Sequence, residues 1–190
     1  MSAGSSPLLS VRDLKVHFAV RGAQRTVVKA VDGVSFDLSA GRTVALVGES
    51  GCGKSTTAYA IIGLEPATSG SIHFGGTNIT YLDKVQRRAL AAEMAIVFQD
   101  PSSALDPKMT ISDSIVEPLA IQGWPRGEQR RRVAELLDRV GLPAAYGTRT
   151  PNAVSGGQKQ RVIIARALAL SPKLLHDWFP GYVSDHSWVL

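Results

Sequence analysis

The sequence is poor in cysteine and contains no apolar run long enough to cross a membrane. Its single cysteine, Cys52, excludes an internal disulfide framework and is typical of a reducing compartment such as the cytoplasm. The longest apolar stretch, Val162 to Leu170, is interrupted by Arg166 and is much shorter than the roughly 20 residues of a spanning helix. The first residues, Met1 to Pro7, lack the basic start and the apolar core of a secretory signal. We therefore expect a cytoplasmic protein without a membrane span of its own.

Aromatic residues are also scarce, at 6% of the chain, and this bears on the excess of basic residues. A net charge of +5 is compatible with nucleic acid, with anionic lipid or with no specific partner. The densest basic run, Arg130 to Arg132, has no interleaved aromatic residues that could stack on bases. We interpret this run as the solvated face of a helix and predict no nucleic-acid partner.

The first half of the chain is typical of β-strands. Its 44% hydrophobic and 19% charged residues are those of a folded globular protein. The segments Leu8 to Phe18 and Val27 to Leu38 are rich in β-forming residues, and Arg21 to Gln24 is a predicted turn between them. A continuous apolar run, Thr43 to Val47, predicts a strand buried on both faces of a parallel sheet. Ser71 to Phe74 is a further predicted strand.

The second half is typical of helices. A helix is predicted from Lys54 to about Leu64, and a buried strand at Ala95 to Phe98. Beyond Pro101, the clearest helix is Glu128 to Val140, whose apolar residues recur at the helical spacing. A second helix, Gly157 to Leu170, is apolar on nearly every side, and we expect it to be buried.

A phosphate-binding loop lies between the predicted strand at Thr43 to Val47 and the helix that begins at Lys54. Its glycines can adopt backbone angles that let consecutive N–H groups converge on phosphates, and the following helix N-terminus adds positive potential. Lys54 is expected to contact the β- and γ-phosphates of ATP, and the Ser55 hydroxyl to help hold Mg²⁺. The predicted nucleotide-binding residues are Gly48, Glu49, Ser50, Gly51, Cys52, Gly53, Lys54, Ser55 and Thr56. Cys52 occupies a free position of the pattern, and we assign it no catalytic role.

A second glycine-rich motif narrows the class of protein. Ser155, Gly156, Gly157 and Gln158, followed by Lys-Gln-Arg, are expected to form another helix N-terminus, with Ser155 as its cap. This segment resembles the signature motif of ABC-type ATPases. The resemblance implies that these residues contact the γ-phosphate of an ATP bound to the phosphate loop of a second subunit.

Two more positions agree with the ABC resemblance. Gln99, at the end of a predicted strand, resembles the glutamine that contacts Mg²⁺ and the attacking water. Phe18 resembles the aromatic residue on which adenine stacks, although a core aromatic at a strand end is the alternative. The interval from Gln99 to Ser155 suits the small helical lobe of transporters, whereas ABC-type chromosome and repair ATPases have a large insertion near this point.

The segments 28–36 and 98–107 resemble the ATP-binding subunits of dipeptide, oligopeptide and nickel importers. The implied fold class is α/β, a P-loop NTPase core with an N-terminal antiparallel β subdomain and a small α-helical lobe, incomplete at the C-terminus. The implied division is a core over 8–99, a lobe over 100–155 and a signature helix over 156–170. The implied partners are transmembrane permease subunits, a second ATP-binding subunit (identical or different) and, indirectly, a solute-binding protein. The expected location is the cytoplasmic face of the membrane.

The family pattern ends at about Leu175. The resemblance implies an apolar strand ending in Asp-Glu there, with the aspartate holding Mg²⁺ and the glutamate polarising water. Instead His176, Asp177, Trp178 and Phe179 are followed by Pro180 and Gly181, which are strand breakers. Asp177 follows only two apolar residues and is not assigned as the magnesium ligand. We therefore predict an aberrant tail over 176–190, from truncation or a reading-frame change.

Three interpretations of function remain open from the sequence. The first is an importer's ATP-binding subunit that binds ATP but is deficient in hydrolysis. The second is a non-catalytic nucleotide-binding module that regulates a partner. The third is an unstable fragment, because a core sheet without the strand beside the phosphate-loop strand would expose apolar surface and unpaired backbone groups.

Overall fold

The computed structural model describes residues 6–19, 26–97 and 104–177. These residues divide into two units, one reaching Ala89 and the other starting at Leu90. Within the described ranges, no helix combines the length and the apolar character needed to cross a membrane.

The first unit is built on a four-stranded antiparallel sheet. Its strands are β1 (Leu9–Ala19), β2 (Val27–Leu38), β3 (Ser69–Phe74) and β4 (Thr77–Asn78), in the order β2-β1-β3-β4. The strands predicted from residues 8–18, 27–38 and 71–74 are thereby confirmed. The predicted turn at Arg21 to Gln24 lies outside the described residues.

An irregularity in β1 decides which side chains enter the core of this unit. Val11 and Leu14 are both fully buried, although they are three positions apart and a regular strand buries every second residue. Asp13 lies between them with a φ of 44°, and the pairing register shifts at this point. The Asp13 N–H donates to Ser35 Oγ at 2.8 Å, which satisfies a donor that the irregular ladder leaves unpaired.

The helix α1 (Lys54–Ile61) packs against β1 and β2 through Thr57, Ala58, Ala60 and Ile61, which are buried. It was expected to reach about Leu64, but it ends earlier because Gly63 adopts a φ of 77°. The Leu64 N–H then donates to the carbonyl of Tyr59 at 2.8 Å, a pattern of helix termination. A short helix, α2 (Lys84–Leu90), follows the sheet.

The prediction of a buried strand over Thr43 to Val47 is wrong. The segment is irregular, and no described strand pairs with it. The side chains are open to solvent, with Val47 91% and Val44 40% exposed. An apolar run of this length forms a stable strand only when neighbouring strands pair with its backbone and cover its faces. That condition depends on the rest of the sheet and not on the run itself.

In the second unit, the described residues form three helices and a two-stranded parallel sheet. Its elements are β5 (Met94–Val97), α3 (Ile111–Ile121), α4 (Arg126–Arg139), two 3-10 turns (Ala144–Thr148 and Pro151–Ala153), α5 (Gly156–Ala167) and β6 (Leu174–Asp177). The helices expected at Glu128 to Val140 and Gly157 to Leu170 are confirmed as α4 and α5, with ends shifted by one to three residues. The strand predicted at Ala95 to Phe98 is confirmed as β5, although Phe98 lies outside the described residues.

The core of this unit lies between the three helices. Each helix buries residues that recur at intervals of three or four positions: Ile111, Ile115 and Leu119 on α3, Val133, Leu136 and Leu137 on α4, Val162 and Ala165 on α5. Burial of each valine, leucine or isoleucine side chain contributes about 1.5–3 kcal/mol relative to its exposure. The spacing of these residues is what positions α5, which carries the signature residues at its start.

The expectation that the strand pattern stops after Leu175 is corrected by β6. This strand runs to Asp177 and pairs in parallel with β5, with Met94 opposite Leu174 and Val97 opposite Asp177. A ladder of backbone hydrogen bonds tolerates the polar residues 176 and 177, because it uses main-chain groups only. The breakers Pro180 and Gly181 come after the paired residues.

Candidate phosphate-binding sites

The phosphate loop is shaped by two glycines with left-handed backbone angles. Gly51 has a φ of 81° and Gly53 a φ of 90°, and Gly53 is the N-cap of α1. A Cβ atom on Gly53 would overlap the carbonyl oxygen of Ala30 in β2. Gly53 is therefore required twice, for its backbone angle and for the close approach of the loop to the sheet.

Lys54 turns back over the loop that precedes it. Its Nζ donates to the carbonyl oxygens of Gly48 at 2.8 Å and Glu49 at 2.7 Å, and lies 3.5 Å from Cys52 Sγ. An ammonium group has three donors, so phosphate oxygens entering the loop would compete with these carbonyls for its protons. The loop thus concentrates one positive charge at the position where a phosphate group would lie.

The start of α1 adds further donors beside Lys54. The Thr57 N–H and hydroxyl both donate to the carbonyl of Gly53, at 2.8 and 2.9 Å, which holds the first turn in place. Ser55 and Thr56 are half-buried in this turn, where backbone N–H groups have no intrahelical acceptor. Such a turn favours an anion.

The residues at this site fit Mg²⁺ only together with phosphate oxygens. Mg²⁺ prefers six oxygen ligands and usually takes several of them from phosphates and water. Ser55 offers one hydroxyl, and Gln99, the second predicted ligand, lies outside the described residues. Within the described ranges, no cluster of three or more His, Cys, Asp or Glu side chains could hold a metal ion.

Phe18, the predicted adenine-stacking residue, is not part of the core. It lies near the end of β1 opposite Val28 and is 40% exposed. Val27 and Val28 are about half exposed beside it, so this end of the hairpin presents an open apolar surface. Its exposure is compatible with stacking and argues against the alternative of a core aromatic.

The signature residues form a self-capped helix start. Ser155 is the N-cap of α5; its Oγ accepts from the Gln158 N–H at 3.3 Å, and its own N–H donates to Gln158 Oε1 at 2.9 Å. The prediction that Ser155 caps this helix is confirmed. Gly156 and Gly157 are exposed, and a Cβ atom on either would meet nothing within 4 Å. No packing within the described chain requires glycine here, so the open space suits the approach of another molecule.

Two arginines link α4 and α5, because each donates to carbonyl groups at the C-terminal end of the other helix. Arg161 on α5 donates to the carbonyls of Val140 and Gly141 at the end of α4, at 3.2 and 3.3 Å. Arg132 on α4 donates to the carbonyls of Leu168 and Ala169 at the end of α5, at 3.0 and 3.1 Å. Cations at helix C-termini satisfy unpaired carbonyls and complement the helix dipole.

The sequence interpretation missed this role of Arg132. It placed Arg130 to Arg132 on one solvated face, but only Arg130 and Arg131 are exposed, whereas the side chain of Arg132 is 13% exposed. The position beside Val133, at the edge of the apolar stripe of α4, was the available signal. The identity of its partners could not be obtained from one helix.

Two glutamates of the second unit, Glu93 and Glu117, form ion pairs. Glu93 pairs with Lys173 at 2.9 Å, and Glu117 pairs with Arg166, which also donates to the Ala104 carbonyl. These ion pairs agree with a structural role for both carboxylates.

An apolar groove of about 230 Å³ lies in the second unit, between β5, α3 and α5. Its walls include Met94, Ile96, Pro118, Ile163 and Leu170. Five alanines also line it, which keeps the groove open: Ala91, Ala92, Ala95, Ala104 and Ala167.

Comparison with known proteins agrees with this geometry. The model of the ABC transporter family matches residues 31–176. The chain is 51% identical over 148 residues to the oligopeptide transport ATP-binding protein OppD of Mycobacterium bovis, covering 78% of this chain and 24% of that protein. It is 48% identical over 174 residues to the glutathione import ATP-binding protein GsiA of Escherichia coli K12, covering 89% and 28%. A putative oligopeptide transport ATP-binding protein, YkfD of Bacillus subtilis, is 45% identical over 171 residues, covering 89% and 51%.

Solved structures of ATP-binding cassettes have the same fold. The cassette MJ0796, in a dimeric post-hydrolysis state bound to ADP and Pi, superposes with a TM-score of 0.79 at 27% identity, covering 89% of this chain and 72% of that one. CbiO1 of Clostridium perfringens superposes with a TM-score of 0.77 at 28% identity, covering 91% and 65%. The chain spans about a quarter to a half of the length of the curated relatives that it matches.

Proposed function

The chain belongs to the ABC transporter family, and from this we propose that it is an ATP-binding subunit of an importer for peptides or related small solutes. The observation that carries the proposal is the phosphate loop, in which the Lys54 ammonium lies against the Gly48 and Glu49 carbonyls beside the N-terminus of α1. The names of the relatives, which transport oligopeptides and glutathione, support the solute class.

The nucleotide is ATP with Mg²⁺ in this proposal. Lys54 and the loop N–H groups bind the phosphates, Ser55 and Gln99 contact the metal ion, and Phe18 stacks on adenine. When bound, the metal ion would neutralise charge on the phosphate oxygens. The exposure of Phe18 and the position of Ser55 in the first turn of α1 support these roles.

The signature residues serve a second ATP-binding subunit. Gly156 and Gly157 are exposed in the first turn of α5, where backbone N–H groups have no acceptor within the helix. A phosphate bound to another subunit could approach them closely because no Cβ atom intervenes. One related cassette was solved as a dimer, which supports this arrangement.

Attachment to the membrane is through permease subunits, and a solute-binding protein is an indirect partner. Ala104 and Pro118 line the apolar groove, and the family resemblance implies a permease contact in the helical lobe that contains them. Its open apolar walls are suited to the apolar face of a helix from a permease.

Hydrolysis by the 190-residue chain is absent or near background in this proposal. No Asp-Glu pair follows the signature helix anywhere in residues 171–190. Without a carboxylate to orient the attacking water, losses of several powers of ten are expected. The second candidate, a nucleotide-binding module that regulates a partner without turnover, is favoured by the same observation.

The test compares the chain with Lys54→Ala in ATP affinity and ATP turnover. Loss of a cation that hydrogen bonds to phosphates should weaken ATP binding by about 10- to 100-fold, since such bonds contribute roughly 1.5–3 kcal/mol. Lys108→Ala, at an exposed lysine of the second unit, is the matched control and should leave affinity unchanged.

The outcomes separate the alternatives. Equal affinities in the parent and in Lys54→Ala would refute nucleotide binding at this loop. Turnover by the parent that Lys54→Ala abolishes would contradict the hydrolysis deficiency but support the family role. An importer subunit, unlike a regulatory module, should regain turnover when residues after Leu175 are replaced by a family-type continuation with Asp-Glu. A parent chain that shows no cooperative thermal unfolding would support the unstable fragment instead.

A further inference from the structure

The start of α5 is linked to the core of its unit by one tyrosine that belongs to neither nucleotide motif. Tyr146 lies in the 3-10 turn Ala144–Thr148. Its hydroxyl accepts a hydrogen bond from Gln158 Nε2 at 3.2 Å, and the same Gln158 amide accepts from the Ser155 N–H through Oε1. A residue before the signature thus contacts the side chain that completes the cap.

The chemistry of these contacts leaves one orientation for the Gln158 amide. A glutamine side chain has an acceptor end and a donor end, and the Ser155 N–H requires the acceptor. The donor end then points to the Tyr146 hydroxyl oxygen. A flipped amide would place NH₂ against N–H and lose the bond to Ser155.

The position of Tyr146 is itself determined by packing. A Cβ atom on Gly147 would overlap Ser112 Oγ of α3 and lie 3.6 Å from Leu137 of α4, so this turn lies directly on the two helices. The guanidinium of Arg149 covers the tyrosine ring at 4.0 Å from its centroid, and the Arg149 carbonyl accepts from the Ile111 N–H at 2.9 Å. The hydroxyl is therefore held at a defined place relative to α3 and α4.

The cap determines which donors remain for a ligand. It satisfies the N–H groups of Ser155 and Gln158, so those of Gly156 and Gly157 are the ones left without an acceptor in the cap or the helix. Release of the Gln158 side chain would free the Ser155 N–H and let a long polar group move across the open turn.

We propose that Tyr146 is a positioning residue that fixes the Gln158 amide in its capping orientation and thereby presents the Gly156 and Gly157 N–H groups to a phosphate. The phosphate and the second subunit that carries it rest on the proposed function. The capping role of Tyr146 does not, and it can be measured on the chain alone.

The test is Tyr146→Phe in the full chain, which removes one oxygen atom and keeps the ring under Arg149. Hydrogen exchange at the Ser155 amide should become about two- to tenfold faster, the range that one net hydrogen bond supports. The side-chain amide resonances of Gln158 should shift in the same variant. Tyr81→Phe is the matched control, because Tyr81 is 67% exposed in the first unit and lies outside these contacts.

The second measurement is the pairing of two copies of the chain in the presence of Mg²⁺ and ATP, and sedimentation velocity measures it. Tyr146→Phe should need a several-fold higher protein concentration for half-maximal pairing, while the ATP affinity of the unpaired chain stays at the parental value. A purely structural effect would instead lower the urea unfolding midpoint and raise exchange throughout α5.

Each outcome decides a different claim. Unchanged Ser155 exchange and Gln158 resonances in Tyr146→Phe would overturn the positioning role. Absence of ATP-dependent pairing in the parent chain would contradict the proposed role of the signature residues, while the exchange data would still judge Tyr146. Faster Ser155 exchange with unaltered pairing would refute the link between the cap and phosphate presentation.

Discussion

The phosphate loop and the signature turn both place helix N-termini where phosphate can bind, but they are built in different ways. The signature turn completes its cap within four residues, and a Cβ atom on either of its glycines would meet nothing within 4 Å. The phosphate loop depends on the sheet, since Gly53 touches the Ala30 carbonyl, which is distant in sequence. The chain before the phosphate loop, Thr43 to Val47, is exposed and unpaired among the described residues. A motif that satisfies its own hydrogen bonds needs less from its surroundings than one that requires a neighbouring strand.

The largest expected effect tests the dependence of the phosphate loop on the sheet. Gly53→Ala should lower the free energy of unfolding by about 3 kcal/mol or more and abolish ATP binding, since overpacking typically costs 1–3 kcal/mol and a left-handed backbone another 1–2 kcal/mol. Gly51→Ala, with a similar φ but no atom within 4 Å of the added Cβ, is the control. It should cost only the backbone strain. Equal urea midpoints for the two variants would contradict the close approach to Ala30.

Substitution of a signature glycine by alanine should change the free energy of unfolding in the opposite direction. Gly157→Ala adds a Cβ atom in open space at the first turn of α5 and should raise the free energy of unfolding by up to about 1 kcal/mol, because alanine favours the helix. The same Cβ atom should obstruct a phosphate of a second subunit and weaken ATP-dependent pairing. Urea unfolding and sedimentation velocity measure the two effects. If Gly157→Ala were more stable than the parent chain and still paired normally, Gly157 would not lie in the proposed interface.

The smallest expected effect concerns pH and the hairpin of the first unit. The pKa of Asp32 is lowered, first by a hydrogen bond from Lys29 and second by one from His17. Folding therefore favours the charged carboxylate. Its contribution to the free energy of unfolding is present above the ordinary pKa of about 3.9, and it is lost as the pH falls through the lower pKa of the folded state.

Asp32→Asn should reduce the change in urea midpoint between pH 6 and pH 3 by a small amount, because the ion pair is largely exposed. The control is Asp138→Asn, at an exposed carboxylate of α4 without an ion pair among the described residues. If the urea midpoint of Asp32→Asn changed with pH as much as that of the parent chain, Asp32 would have no role in the pH dependence of stability.

Periodic patterns predicted the elements that bury one side. α4 was recognised from its helical spacing, which indicates the face that leaves water, and β1 and β2 were recognised from their β-forming residues. Thr43 to Val47 has no such periodicity, and its structure depends on which strands flank it. The part of β6 after Leu175 was not predicted. Its pairing with β5 uses backbone groups, and the side chains of these residues do not indicate it.

The amino-acid sequence by itself determined where the two glycine-rich motifs lie and which serine caps the second, because that cap forms within four residues. Tertiary structure alone decided three further things. It brought Arg132 to the end of α5, it placed the Tyr146 hydroxyl against Gln158, and it left Val47 in solvent. Each of these depends on the packing of segments that are separate in sequence. A local sequence pattern does not specify which surface will pack against it, so these contacts are defined only in the folded chain.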